Sequence, residues 1–220
     1  MKTIGWISLI VAFLYICVGI SYFLMPADDQ ISKSQFDDFL QMLHRNPAFF
    51  MLQMWLFALT SMGAIAVVMA VTKTIQNPND MLTQWIGMLA IIGYSVIMVM
   101  SFSSQTYFPN LAHSYMQTDL SARQAIQAIN TGFNDWMGFS LVGLWFTVIH
   151  IVGLKRKKLS LPLGILGIVI GIAYCLAGHG LMLEIDWMTT IAAGVGGIVL
   201  APVWFSWIGV LMCKGRISYV

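Results

Sequence analysis

The sequence predicts an all-α fold, a polytopic membrane bundle in which six helices cross the bilayer as one domain over residues 1–220. Hydrophobic residues make up 59% of the 220 residues and charged residues only 9%, and the mean hydropathy is +0.80. Soluble domains carry about 25% charged residues, because a surface that faces water needs them. The composition therefore indicates an integral membrane protein and excludes a soluble globule, a coiled coil and a disordered chain.

Six apolar stretches are long enough to be transmembrane helices, since a bilayer core about 30 Å thick takes about 20 helical residues. None of them contains Asp, Glu, Lys or Arg. We place these spans at residues 4–25, 48–72, 82–104, 136–154, 159–183 and 187–212. The first is followed by only a poor cleavage site, Met25-Pro26-Ala27, so we expect a retained anchor rather than a signal peptide.

The distribution of basic residues predicts the orientation of the bundle. With the N-terminus inside, eight of the eleven Lys and Arg residues fall in inner segments and three in outer segments, which agrees with the excess of positive charge on cytoplasmic loops. We therefore expect both termini in the cytoplasm and the chain in an inner (plasma) membrane. Interfacial aromatic residues mark span ends, and four tryptophans do so here: Trp6, Trp85, Trp136 and Trp187.

Two outer loops carry short amphipathic patterns. Between Ser34 and His44 the apolar residues recur at helical spacing: Phe36, Phe39, Leu40 and Leu43. A second pattern covers residues 121–129 in the loop 105–135. We expect two short helices on the outer membrane interface, where they either cap the bundle or form a docking surface for a partner.

Small residues predict where the spans pack closely, because lipid supplies no hydrophobic drive between helices. In the fifth span Gly167, Gly171 and Cys175 recur at spacing four. The sixth span offers Ala193, Gly197 and Pro202. We assign these six residues to helix packing, with a kink at Pro202 because proline cannot donate to the carbonyl four residues earlier. The alternative is that the sixth span forms a hinge or a cavity wall.

Several functions are disfavoured by the residues that the spans lack. Proton relays and ion-coupled carriers usually place Asp or Glu inside the membrane, and these spans hold neither. The sequence contains no zinc-binding H-E-x-x-H, phosphate loop or nucleophile elbow. No basic stripe is present that could bind nucleic acid. The sequence therefore predicts no catalytic residues and no metal ligands, and it disfavours enzyme activity without excluding it.

Two histidines within spans, His150 and His179, are the polar positions that could hold a cofactor. Both follow small residues at helical spacing, so we expect both to point into the bundle. There each is either a neutral side chain hydrogen-bonded to another helix or a functional group. A haem shared by both is excluded, since they lie roughly 16 Å apart along the membrane normal. Haem ligation by His179 and a methionine of the third span stays open.

A polar binding site at the outer end of the bundle is a further hypothesis. The alternative is that the charged side chains of the outer loops are solvated and bind nothing. Its candidate residues come from both outer loops and the adjacent span ends: His113, Asn134, Asp135, His179, Glu184 and Asp186.

The sixth span carries a resemblance to a known group of proteins. The run Ala193-Gly194-Val195-Gly196-Gly197, followed by Pro202-Val203-Trp204, Trp207 and Gly209, resembles an uncharacterised bacterial family of six-helix membrane proteins, a domain of unknown function. The resemblance implies six helices and a bacterial inner membrane, and it supplies no activity.

Three functions stay open at the level of sequence. The first is a non-catalytic accessory or stabilising subunit of a larger membrane complex, bound to another membrane protein or to a second copy. The second is a passive carrier or conduit for a small neutral or lipophilic compound. The third is a redox subunit that binds haem or quinone. Membrane lipid is the expected companion in every case, and the sequence requires no cofactor.

Overall fold

A computed structural model of the chain describes residues 1–25, 36–77, 80–119, 121–123, 136–183 and 185–216. Regular structure in these residues is helical throughout. The helices are α1 (Lys2–Leu24), α2 (Phe36–Arg45), α3 (Ala48–Ile75), α4 (Met81–Met116), α5 (Trp136–Lys155), α6 (Leu161–Met182), α7 (Asp186–Ala193), a π-helical segment (Gly194–Leu200) and α8 (Ala201–Cys213).

Six spans are long and apolar enough to cross a membrane, which confirms the predicted number. The sixth is continuous through α7, the π segment and α8. The predicted end of the third span is wrong, because α4 continues past residue 104 to Met116. With 36 residues, α4 is about 54 Å long, well beyond the bilayer core of about 30 Å.

The six spans form a closed ring in chain order. Each packs against the span before it and the span after it, and α1 closes the ring against α8 and the π segment. At one end the first turn of α1 meets the last residue of α8, where Cys213 Sγ lies 3.8 Å from the carbonyl oxygen of Lys2. We call this the termini end; it also holds the α3–α4 and α5–α6 connections. The opposite end, with α2 and the last turns of α4, is the distal end.

Large apolar side chains fill the centre of the ring. Trp145, Phe146, Trp204 and Phe205 are fully buried there and meet mostly edge to face, with ring centroids 4.8–6.4 Å apart. Such aromatic pairs add to the stability gained from burial alone. The outward positions of the same helices are apolar too, and the four predicted span-end tryptophans are all exposed.

The predicted short helix between the first and second spans is present as α2. Its apolar face packs on the protein itself, with Phe39 against Phe50 of α3 and Phe108 of α4. The extension of α4 thereby gains a partner, which explains why it stays helical beyond the apolar stretch. Ser34, at the start of the first predicted helix, and most of the second predicted helix, residues 124–129, lie outside the described residues.

The sixth span is irregular where the sequence predicts a kink. Pro202 has no N–H, so the regular hydrogen-bond ladder cannot pass through it. The seven residues Gly194–Leu200 are π-helical, and the N–H of Ala201 reaches back five residues to the carbonyl of Gly196. The irregularity therefore takes the form of a wider helical turn on the N-terminal side of Pro202.

A disulfide can test the closure of the ring. A Cβ built on Gly19 of α1 lies 3.7 Å from Cβ of Ile198 in the π segment, within the range that disulfides need. In a background without Cys17, Cys175 and Cys213, the pair Gly19→Cys and Ile198→Cys should cross-link under mild oxidation. The measurement is the mobility shift on a non-reducing gel.

The matched control for this cross-link moves one cysteine by one residue. Val199 is 55% exposed on the outer surface, so Gly19→Cys with Val199→Cys should remain reduced. Equal cross-linking of both pairs, or of neither, would contradict the closed ring.

Candidate functional site

The closest helix contact in the bundle is the seam between α5 and α6. A Cβ on Gly143 would lie 2.7 Å from the backbone N of Cys175 and from the carbonyl O of Gly171. On the other side of the seam, a Cβ on Gly171 would lie 2.5 Å from the backbone N of Thr147. The two backbones therefore touch through their small residues, which is how helices associate tightly in membranes.

His150 lies in this seam and is completely buried. Gly167 leaves the room for its ring, because any Cβ at that position would overlap the imidazole. Nε2 of His150 accepts a hydrogen bond of 2.8 Å from the indole N–H of Trp204, which can only donate. Nδ1 therefore carries the proton and donates to the carbonyl of Phe146 at 2.6 Å. Both ring nitrogens are engaged, so this neutral tautomer has no lone pair left for a metal or haem iron.

A second indole extends the polar network to α3. The Nε1–H of Trp145 donates to Oγ1 of Thr72 at 3.0 Å, and the rings of Trp145 and Trp204 are 6.1 Å apart. These hydrogen bonds join α3, α5 and α8 across the centre of the ring. Chemically the network is a set of neutral donors and acceptors that satisfy one another, which stabilises and orients the helices.

Three buried tyrosines form a separate polar group. Tyr174 of α6 donates from its hydroxyl to the hydroxyl of Tyr15 on α1 at 3.1 Å. Tyr94 of α4 is 1% exposed, and its hydroxyl lies near the hydroxyl of Tyr15. Its own hydroxyl oxygen has no hydrogen-bond partner, and no other buried side-chain N or O atom of the described residues is in that position.

The expectation that His179 points into the bundle is wrong. Its side chain is exposed, beside Ile172 and Leu176 on the outer face of α6, and Nδ1 contacts the carbonyl of Cys175 at 2.7 Å. Four residues advance an α-helix by about 400°, or 40° beyond one turn. Over the twelve residues from Gly167 to His179 this drift adds up to about 120°, which carries the histidine off the seam.

The remaining packing candidates lie on the sixth span. Pro202 is buried, and Ala193 is half-buried. Gly197 is buried beside Tyr174, whose hydroxyl would be 3.6 Å from a Cβ at that position. The three cysteines, including Cys175, are free thiols.

Two of the predicted outer-site residues, His113 and His179, have side chains in the described part of the chain. His113 of α4 stacks on His44 of α2, with ring centroids 5.9 Å apart. Asn134, Asp135, Glu184 and the side chain of Asp186 lie outside the described residues. Within the described part of the chain, no three His, Cys, Asp or Glu side chains are close enough to hold one metal ion.

At the termini end an ion pair joins the two short connections. Nη1 of Arg156 lies 2.5 Å from Oδ2 of Asp80 and 3.0 Å from the carbonyl O of Ile75. Burial raises the pKa of the Asp80 carboxyl, but hydrogen bonds from Arg156 and Thr83 outweigh this effect and lower the pKa to about 2. Lys158 donates to the carbonyl of Thr74 at 3.1 Å, so two basic side chains cap the last turn of α3.

Asp80→Asn should lower stability in a pH-dependent way. The amide can still cap α4 as asparagine does, but it loses the charge that pairs with Arg156, at an expected cost of about 1 kcal/mol at neutral pH. Because the folded pKa lies below the ordinary value of 3.8, the stabilisation is complete above about pH 4 and is lost as the pH falls through about 2. Melting temperatures in detergent from pH 2 to 7 measure this, with Asp38→Asn on the exposed face of α2 as control. Parallel curves for wild type and Asp80→Asn would contradict the ion pair.

The chain matches one family model over nearly its whole length, residues 4–215, and that family is described as a domain of unknown function, DUF4386. The chain belongs to the DUF4386 family. This membership confirms the resemblance that the glycine, proline and tryptophan run of the sixth span indicates. No curated protein and no solved structure matches the chain. Family membership therefore agrees with a multi-pass membrane protein and assigns no activity to it.

Sequence reasoning missed the partners of the buried polar groups in this family member. The indole of Trp204 and His150 are 54 residues apart, and the hydroxyls of Tyr15 and Tyr174 are 159 residues apart. The sequence held a coarser signal. Tyr15, Tyr94 and Tyr174 lie 11, 12 and 15 residues after the starts of the first, third and fifth predicted spans, which run in the same direction, so they fall at similar depths.

Proposed function

We propose that this protein is a non-catalytic accessory or stabilising subunit of the inner membrane, with both termini in the cytoplasm, that binds another membrane protein or a second copy of itself. The observation that carries the proposal is the filled interior of the ring. Trp145, Phe146, Trp204 and Phe205 occupy its centre, and the polar groups of the His150 network bond to one another. A chain built in this way acts through its surface.

A carrier or a redox subunit receives less support from the same geometry. A solute path needs a polar or open lining, whereas two recesses of about 480 and 410 Å³ in the described residues are both open grooves on the surface. A haem needs a free histidine nitrogen. Both nitrogens of His150 are hydrogen-bonded, and His179 is exposed on the outer face of α6, away from the interior of the bundle. We therefore favour the subunit over these two alternatives.

The partner surface that we propose is the distal platform, which consists of α2 and residues 105–116 of α4. The apolar face of α2 is already covered by α3 and α4, and its free face is polar, with Asp38, Gln41 and Arg45 exposed. Next to it α4 exposes Tyr107 and Asn110. Tyrosine and arginine are enriched at protein interfaces.

Co-purification tests this function. The full chain carries an affinity tag and is extracted from its own membrane in mild detergent. The variant Asp38→Ala, Gln41→Ala, Arg45→Ala changes only exposed positions of α2, so it should fold and should lose most of the co-purifying polypeptide. The control variant Ile165→Ala, Val169→Ala, Ile172→Ala trims the exposed apolar face of α6 and should retain it.

The outcomes separate the two parts of the proposal. Loss in the α6 control, or retention in the α2 variant, would contradict the distal platform as the partner surface. A wild-type chain that purifies without any second polypeptide and without a second copy would overturn the subunit function itself.

A further inference from the structure

The three tyrosines lie at one depth inside the membrane. Tyr15, Tyr94 and Tyr174 come from α1, α4 and α6, which all run from the termini end to the distal end. Each lies 13 residues beyond the first residue of its helix, or about 20 Å along the axis. That depth is well within a bilayer core of about 30 Å, where bulk water cannot satisfy a phenolic hydroxyl.

The group carries more hydrogen-bond donors than it uses. Each phenol supplies one O–H donor. The proton of Tyr174 goes to the oxygen of Tyr15. The hydroxyl of Tyr94 lies near that of Tyr15, but it makes no hydrogen bond of normal length and angle to any protein group. A buried hydroxyl without a partner costs free energy, and this cost disappears when the hydroxyl donates to an acceptor oxygen.

The wall between this group and the outer surface is thin. Gly197 of the π segment presents no side chain toward the hydroxyl of Tyr174, which would be 3.6 Å from a Cβ there. On the opposite side of the same segment Val195 and Val199 are about half exposed. A π-helical turn of this kind frequently accompanies a functional site in a helix. The glycine-rich segment thus separates the tyrosines from the lipid by little more than backbone.

We propose that the Tyr94 hydroxyl, beside the Tyr15–Tyr174 hydrogen bond, is the donor of an intramembrane site that binds the oxygen of a neutral hydrogen-bond acceptor. The site selects a neutral ligand because the three tyrosines around it offer phenol groups and no charge. It favours an acceptor because its unused group is an O–H. Water and the carbonyl of a lipophilic molecule are the two sources of such an oxygen.

The substitution Tyr94→Phe tests the site with the full chain, since it removes one oxygen and leaves the ring. If an acceptor is bound, the apparent melting temperature in mild detergent with native lipid should fall by about 2–4 °C. If the hydroxyl is unsatisfied, its removal from the core leaves the melting temperature unchanged or raises it, and that result overturns the proposal.

A second variant separates a bound acceptor from a bond within the protein. In a Tyr15→Phe background, Tyr94 can still donate to a bound oxygen. The fall in melting temperature caused by Tyr94→Phe, called the penalty below, should therefore persist. A penalty that vanishes in this background would mean that Tyr15 is the partner, and it would overturn the proposal.

Lipids with and without a carbonyl group distinguish the two sources of the oxygen. The same comparison is repeated after delipidation and reconstitution into vesicles of ether-linked phosphatidylcholine, which carry no carbonyl. A penalty that persists there assigns the site to water. A penalty that is lost there and returns on addition of decylubiquinone or an ester-linked lipid assigns it to a carbonyl, and a loss that neither restores overturns the proposal.

Two further variants test whether the bound molecule reaches the tyrosines past the π segment. Gly197→Ala adds a methyl group at ordinary contact distance from Tyr174, so the chain should fold, but the space beside the hydroxyl is reduced. Gly197→Ala should therefore reduce the fall in melting temperature that Tyr94→Phe causes. Gly194→Ala, which meets no atom within 4 Å, should leave the penalty unchanged. Equal penalties in both backgrounds would contradict this approach.

Discussion

Gly143→Ala should destabilise the bundle by about 3 kcal/mol, the upper end of the usual cost of overpacking. The added methyl group would lie 2.7 Å from the backbone N of Cys175 and from the carbonyl of Gly171. Backbone atoms cannot turn away as the tip of a side chain does, so α5 and α6 must separate. The α5–α6 seam also holds His150, and its separation would loosen the centre of the ring. The measurement is the apparent melting temperature of the purified chain in detergent.

Two controls make this result specific. Gly194→Ala adds the same methyl group where no atom lies within 4 Å, and it should leave the melting temperature unchanged or slightly raised. Adding Cys175→Ala to Gly143→Ala should not restore stability, because the nearest obstacles include backbone atoms. Rescue by that second substitution, or equal effects at positions 143 and 194, would contradict backbone contact at the seam.

His150→Ala should have the second large effect, a loss of about 3–4 kcal/mol. It removes a ring that packs against Trp145, Phe146 and Trp204, and truncation of a buried ring leaves a cavity. It also leaves the indole N–H of Trp204 without its acceptor. The matched control is His179→Ala, because the side chain of His179 is exposed. This substitution should change the free energy of unfolding by less than about 0.5 kcal/mol.

A double-mutant cycle isolates the hydrogen bond within that effect. Trp204→Phe removes the donor but keeps an aromatic ring. The losses of unfolding free energy caused by Trp204→Phe and by His150→Ala should therefore not be additive. The double variant should lose about 0.6–1.7 kcal/mol less stability than the sum of the two single losses, which is the range for hydrogen bonds between membrane helices. Strict additivity would contradict the bond. A His150→Ala variant that folds normally but loses a visible absorption band would instead support a haem.

The sequence predicts the spans well and their ends less well, for a physical reason. Charge-free apolar stretches fix the number of helices, because a helix satisfies its backbone hydrogen bonds within one segment, as lipid requires. The end of α4 was missed because Gln105, Pro109 and Asn110 read as a loop. Its extension is stabilised by contacts that are distant in sequence, such as Phe108 and Tyr115 against α2.

The candidate site shows the same limit. Small residues at helical spacing place Gly167 and Gly171 at the seam with His150, but the same pattern placed His179 there wrongly. Spacing of four residues marks one face only over a short stretch, because the face rotates along the helix. The partners of His150 and of the tyrosines come from other spans, so periodicity within one helix cannot reveal them.

A native mass spectrum of the tagged chain, released from its own membrane in mild detergent, tests the proposed subunit function most directly. The proposal predicts an assembly well above 24.5 kDa that releases a second polypeptide, or a second copy of this chain, on activation. A spectrum of the bare chain, alone or with only a small adduct, would contradict it, and the mass of that adduct would identify the ligand on which the protein acts instead.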